Sequence, residues 1–165
     1  MRSRMCATEL RVPRQTETMA LRTILMAGLI CGTLDGLCAL GLSAGRFVRL
    51  FRFLASGLLG PKAFEGGMAT VALGIAVHFS VALGAAAVFF WASRALPFMI
   101  EQAVLCGVLF GVLVHVFMNF VVIPFSAIGR RPFNARAFVV QLLVHMIVVG
   151  PSIALTVRYY SRLKS

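Results

Sequence analysis

Four long apolar stretches constrain this chain more than any other feature of its sequence. They cover residues 23–45, 66–93, 102–129 and 137–157. The chain has 16 basic and 5 acidic residues, and of these only Asp35 lies inside an apolar stretch. Each stretch exceeds the roughly 20 residues that a helix needs to cross a hydrocarbon core about 30 Å thick, and none shows the polar stripe of a soluble amphipathic helix. The sequence therefore predicts four transmembrane helices.

The predicted fold is an all-α, four-helix transmembrane bundle. The spans are expected near 20–44, 67–93, 99–123 and 136–158, within one membrane domain of residues 19–165. Residues 1–18 are polar, contain Pro13 and lack apolar periodicity, so they are predicted to be a disordered N-terminal tail. A signal peptide is the rival interpretation of the tail and first stretch. That stretch is longer than the usual apolar region of about 7–15 residues in a signal peptide, which favours a retained helix.

The connection between the first two stretches carries a regular pattern of arginines. Its sequence is GRFVRLFRFLASGLLGPKAFE, residues 45–65. Arg46, Arg49 and Arg52 recur every third residue, so on a helix they fall within an arc of about 120°. We predict a short amphipathic helix near 46–59 that lies in the membrane interface, with these arginines contacting lipid headgroups. An irregular connecting loop is the alternative.

The net charge of +11 has a membrane explanation. Most basic residues flank the apolar stretches, where they can reach lipid phosphates. The chain has no polar domain that could carry a basic patch with interleaved aromatic residues, so no nucleic-acid partner is expected. The expected partner is the lipid bilayer, and a small four-span bundle of this kind is compatible with a homodimer.

Polar residues inside the spans are the candidate functional residues. They are Asp35 in the first span, His78 in the second, His115 and Asn119 in the third, and His145 in the fourth. At 1.5 Å per residue, the four ionisable groups lie about 13 to 17 Å from the same side of the membrane. Ionisable residues inside a membrane usually face the bundle interior and have a function. We therefore predict one shared polar layer, while structural polar packing is the alternative interpretation.

Small residues share the helix faces of these polar groups. In the third span Ala103, Gly107, Gly111, His115 and Asn119 recur every four residues. Gly28, Gly32, Asp35 and Ala39 share a face in the first span, and Thr70, Gly74, His78 and Ala82 do so in the second. Small residues four positions apart allow membrane helices to approach closely. Each polar group is therefore predicted to lie at a helix–helix contact, and Gly150-Pro151 is expected to bend the fourth span beyond His145.

Three segments resemble a known group of membrane proteins. They are SVALGAAAVFFWASRALP, VLCGVLFGVLVHVFMNFVVIP with its late histidine, and FVVQLLVHMIVVG with its central histidine. In these features the second to fourth spans resemble uncharacterised bacterial inner-membrane proteins of the YagU type. The resemblance implies a multi-pass protein of the bacterial plasma membrane and implies no mechanism.

Several functions remain open at this stage. A layer of histidine and aspartate could relay protons or bind a small cation, which is the function we favour. The histidines could instead bind a metal or a b-type haem. A non-catalytic membrane partner or structural protein is the third hypothesis. No nucleophile, zinc-protease or phosphate-loop motif occurs in the chain, so we do not expect an enzyme.

Overall fold

Four helices long and apolar enough to cross a membrane make up the fold. The computed structural model describes residues 11–129 and 132–163, and this part of the chain contains no strand. The helices that carry the spans are α1 (Arg11–Leu42), α3 (Met68–Ala95), α5 (Ala103–Phe125) and α6 (Ala135–Arg162). Two shorter helices lie between them, α2 (Phe47–Leu59) and α4 (Phe98–Glu101). The chain is therefore an all-α, multi-pass membrane protein, as predicted.

The helices differ in extent from the prediction. Residues 11–18 of the segment predicted as a tail are helical and continue into the first span, while residues 1–10 lie outside the described residues. The third span begins at Ala103, because residues 98–101 form the separate helix α4 after Pro97. Proline favours the first turn of a helix, which explains the new helix start at this point.

Glycines on α1 set its contact with α3. A methyl group added at Gly28 would lie 2.6 Å from a Leu83 side-chain carbon, and one added at Gly32 would lie 2.8 Å from the Phe79 ring. At Gly36 the nearest atom is Nε2 of His78, at 3.3 Å. These three glycines lie four residues apart, so the face of α1 that meets α3 is a continuous strip without side chains.

Helices α5 and α6 approach even more closely. A methyl group at Gly111 would overlap the carbonyl group of His145, and one at Gly150 would overlap the carbonyl oxygen of Gly107. The backbones of the two helices are therefore in direct contact. The predicted close approach at Gly107-x-x-x-Gly111 is confirmed, and its partner on α6 is Gly150.

A hydrophobic core joins all four spans in one half of the bundle. It contains Ala27 and Cys31 of α1, Ala86, Phe89 and Phe90 of α3, Ala103, Cys106 and Phe110 of α5, and Val149, Ile153, Ala154 and Val157 of α6. All of these residues lie towards the end of the bundle where α1 begins and α6 ends. Along the bundle, α1 packs against both α3 and α6, α5 packs against α6, and α2 packs against α3.

Helix α2 packs along α3, next to the contact of α3 with α1. Phe51 and Ala55 are buried, and the carbonyl of Phe51 occupies the space that a side chain at Gly74 would need. The helix ends at Gly60, which adopts φ = +63°, a conformation that favours glycine. The Ala127 amide, beyond α5, donates to the Gly57 carbonyl at 2.9 Å. This hydrogen bond places the α1–α3 and α5–α6 connections at the same end of the bundle.

Two π-helical segments interrupt α5 and α6, each just before a proline. They span Met118–Val122, ahead of Pro124, and His145–Val149, ahead of Pro151. Proline has no amide hydrogen, and its ring clashes with the carbonyl four residues earlier. A π-helical turn is one of the local adjustments by which a membrane helix accommodates this loss.

The glycine contacts predict a difference between two alanine substitutions. Gly111→Ala should lower the stability of the purified protein by about 1–3 kcal/mol, because the added methyl group must displace the α6 backbone. Gly84→Ala is the matched control, since no described atom lies within 4 Å of its added methyl group. The control should retain or slightly raise stability, because alanine favours helix by about 1 kcal/mol. Denaturant unfolding in detergent, followed by circular dichroism, measures both, and equal effects would contradict the packing.

Candidate functional site

Two of the predicted site residues, His115 and His145, are in contact between α5 and α6. Their ring centroids are 5.1 Å apart and the rings meet edge to face. His115 is only 1% exposed, and the ring of Phe138 lies 4.6 Å from it on another side. The pair is brought together by the glycine contact of α5 with α6, since the backbone of His145 lies where a side chain at Gly111 would be.

Each member of this pair has a polar neighbour on its own helix. Nδ1 of His145 lies 2.8 Å from the carbonyl oxygen of Gln141. The Asn119 amide nitrogen donates to the His115 carbonyl at 2.9 Å and lies 3.4 Å from each ring nitrogen of His115. A carbonyl can only accept, so Nδ1 of a neutral His145 carries the hydrogen and Nε2 keeps a free lone pair.

His78 belongs to the other helix pair. Its Nε2 lies 2.8 Å from the carbonyl oxygen of Gly32, and the hydrogen bond joins α3 to α1 across the glycine strip. The rings of Phe79 and Phe51 lie 5.4 and 6.3 Å from it. By the same reasoning Nε2 of a neutral His78 donates, and Nδ1 is left as an acceptor.

Asp35 lies beside this glycine strip on α1. It is half-buried, and its neighbour Gly36 faces His78. Among the described residues the carboxyl group has no hydrogen-bond or ion-pair partner. A carboxylate without a partner is costly within a membrane, so this group is open to a proton or a cation.

The predicted polar layer is therefore distributed over two helix pairs. Asp35 and His78 lie on α1 and α3, while His115, Asn119 and His145 lie on α5 and α6, where they are in contact. Within residues 11–129 and 132–163, no three His, Cys, Asp or Glu side chains are grouped so that they could hold a metal ion. The two histidines of a bis-histidine haem lie on opposite faces of the porphyrin. The rings of His115 and His145 are instead in direct contact, which leaves no room for a porphyrin between them. Convergence of all four ionisable groups stays a prediction.

Two features of the site go beyond the prediction. The contact face of α1 was predicted to carry Gly28, Gly32, Asp35 and Ala39, whereas the strip that meets α3 is formed by Gly28, Gly32 and Gly36, with Asp35 beside it. The regular spacing of these glycines was the available signal. The second feature is the π-helical turn that begins at His145, for which Pro151 was the signal.

The three arginines predicted to contact lipid lie along one side of α2. Arg46 and Arg49 are exposed, and Arg52 is half-buried. They line two adjoining surface cavities of about 390 and 710 Å³, both of which also border Phe64. The helix predicted at 46–59 is confirmed, and the alternative of an irregular loop is wrong. Contact with lipid stays a prediction.

Comparisons with protein-family models, with curated proteins and with solved structures gave no match to this chain. The resemblance to YagU-type proteins therefore stays a prediction, and the function is inferred from the geometry of the site.

The hydrogen bonds to carbonyl oxygens predict opposite tautomers for two histidines. At a pH where both are neutral, His78 should carry its hydrogen on Nε2 and His145 on Nδ1. Nitrogen-15 chemical shifts of histidine-labelled protein distinguish the two forms, and His78→Gln and His145→Gln variants assign the signals. The same tautomer at both positions would contradict the described geometry.

Proposed function

We propose that this protein binds and transfers protons, or a small cation, through the polar groups inside its spans. The observation that carries the proposal is the contact of the buried His115 with the half-buried His145 between α5 and α6. Imidazole is the side chain whose ordinary titration lies closest to physiological pH. A pair of imidazoles within a membrane is therefore suited to taking up and releasing a proton.

The contact geometry limits the charge that the pair can hold. Two protonated rings at a centroid distance of 5.1 Å would repel each other strongly in a medium of low polarity. Repulsion therefore favours one charged ring over two in this pair. A pair that holds a single charge is suited to passing a proton on.

The hydrogen bonds to backbone carbonyls also support this function. They fix the orientation of His78 and His145, yet each occupies only one ring nitrogen. The second nitrogen remains an acceptor for a proton or a cation. Asp35, without a hydrogen-bond or ion-pair partner in the described part of the chain, adds a carboxyl group beside the glycine strip that meets His78.

The same hydrogen bonds favour a second candidate, a structural role in a non-catalytic membrane protein. The bond of His78 to the Gly32 carbonyl joins α3 to α1, as polar residues between membrane helices commonly do. Asn119 and His145 each bond to a carbonyl one turn earlier in their own helix, which is also compatible with a packing role. In either case we place the protein in the bacterial plasma membrane, in accordance with its resemblance to YagU-type proteins.

Proton flux in reconstituted vesicles tests the proposal. Liposomes containing the protein and a pH-sensitive dye are given a potassium diffusion potential, and internal acidification is recorded. His145→Gln and Asp35→Asn should reduce the protein-dependent rate by about a hundredfold, the lower end of the range for losing a positioned proton-transfer group. Ser80→Ala is the control, because Ser80 is exposed on α3 and bonds only to the Ala76 carbonyl.

The outcomes separate the two candidates. Flux that depends on His145 and Asp35 supports transfer. If the wild-type protein gives no flux with protons or with alkali cations, transfer is wrong. If there is no flux and His145→Gln lowers the unfolding midpoint more than Ser80→Ala does, the structural role is favoured instead.

A further inference from the structure

A groove beside α2 combines three arginines with apolar walls. We call this surface the arginine groove. The lining residues that matter here are Arg46, Arg49, Arg52, Phe47, Val48 and Phe64. The groove lies at the end of the bundle where α1 passes into α2, next to the boundary of the membrane-spanning region.

Backbone hydrogen bonds hold two of these arginines in place. Nε of Arg46 donates to the Ser43 carbonyl at 3.0 Å, and an Nη1 hydrogen of Arg52 is donated to the Phe64 carbonyl at 3.2 Å. Each guanidinium group has five N–H donors in a planar fork, so most donors remain available after these bonds. Groups already held in position lose less conformational entropy when a ligand binds.

Among the described residues, no acidic group neutralises the positive charge of the groove. None of the three arginines forms an ion pair with a described residue. Nε of Arg52 is buried and has no hydrogen-bond partner among these residues. A buried donor without a partner is unfavourable, and an acceptor brought by a ligand would relieve this. The positive end of the α2 helix dipole lies at Arg46, where no described side chain caps the helix, and this adds to the attraction for an anion.

The apolar residues identify the kind of anion. Phe47, Val48 and Phe64 are exposed beside the arginines, and Phe47 is 42% exposed. Inorganic phosphate would leave these side chains without a favourable contact. A glycerophospholipid presents a phosphate next to acyl chains, so one molecule would satisfy both parts of the groove.

From these observations we infer that the arginine groove is a binding site for the headgroup phosphate of an anionic glycerophospholipid. Arg46 and Arg49 contact the phosphate oxygens, and Phe47 and Phe64 contact the glycerol and upper acyl region. The inference is independent of the proposed proton transfer, because it depends on other residues and other contacts.

Native mass spectrometry of the detergent-purified protein measures this binding. Dioleoylphosphatidylglycerol should bind about tenfold more tightly than zwitterionic dioleoylphosphatidylcholine, as expected for a small number of basic contacts at a membrane surface. Arg46→Gln/Arg49→Gln should reduce the preference to within about twofold, since the remaining arginine alone supplies little selectivity. Arg94→Gln/Arg162→Gln is the matched control, because it also removes two exposed charges but at the opposite end of the bundle. The control should keep the preference.

Two further measurements distinguish a built lipid site from general charge attraction and from a site for free anions. Arg46→Lys/Arg49→Lys keeps the charge but loses the planar fork, so it should lose much of the preference. Full preference in the lysine variant, or equal losses in the glutamine variant and its control, would overturn the inference in favour of general charge attraction. Displacement of phosphatidylglycerol by inorganic phosphate at constant ionic strength would also overturn it, because the site would then bind a free anion. Circular dichroism and unfolding midpoints within the wild-type range establish that each variant is folded.

Discussion

Close backbone contact between helices is the interaction on which the rest of this structure depends. In a bilayer, burying an apolar side chain against another helix gains little, because lipid tails are equally apolar. Association then depends on packing at short range and on polar contacts between helices. Here Gly107, Gly111 and Gly150 allow α5 and α6 to touch at the backbone, and Gly28, Gly32 and Gly36 bring α1 close against α3. Both histidine sites are located at these contacts.

The glycine contacts and the polar groups are connected physically. A histidine ring is short, so it reaches a carbonyl of a neighbouring helix only where the two helices are close. The hydrogen bond from His78 to Gly32 crosses the α1–α3 contact at 2.8 Å. The ring contact of His115 with His145 crosses the α5–α6 contact. The hydrophobic core joins all four spans. Each polar contact, by contrast, lies within one helix pair.

Much of this architecture could be predicted from the sequence, because a membrane allows few alternatives. Unpaired backbone groups are not tolerated in lipid, so a long apolar stretch must be a helix. The spacing of small residues likewise predicted the close approach at Gly107 and Gly111. The packing of α2 could not be predicted, because the fit of the Phe51 carbonyl against Gly74 depends on tertiary structure. Pro151 indicated an irregularity in α6, but a π-helical turn is only one of several ways to accommodate a proline.

For the candidate site, the depth of each polar group could be predicted from the sequence, whereas its lateral neighbours could not. Counting residues along each helix predicts similar depths for Asp35, His78, His115 and His145, because the rise per residue of a helix is fixed. Which groups touch depends on helix rotation, which the sequence did not determine. Rotation brings His115 against His145 and directs His78 towards Gly32.

The central claim is that His115 and His145 are in contact between α5 and α6 inside a bilayer. Solid-state NMR of histidine-labelled protein in phospholipid bilayers tests it directly. A through-space cross-peak between these two rings is predicted, and it should disappear in His145→Gln. Absence of that cross-peak in the wild-type protein, under conditions where the ring signals of both histidines are resolved, would contradict the account.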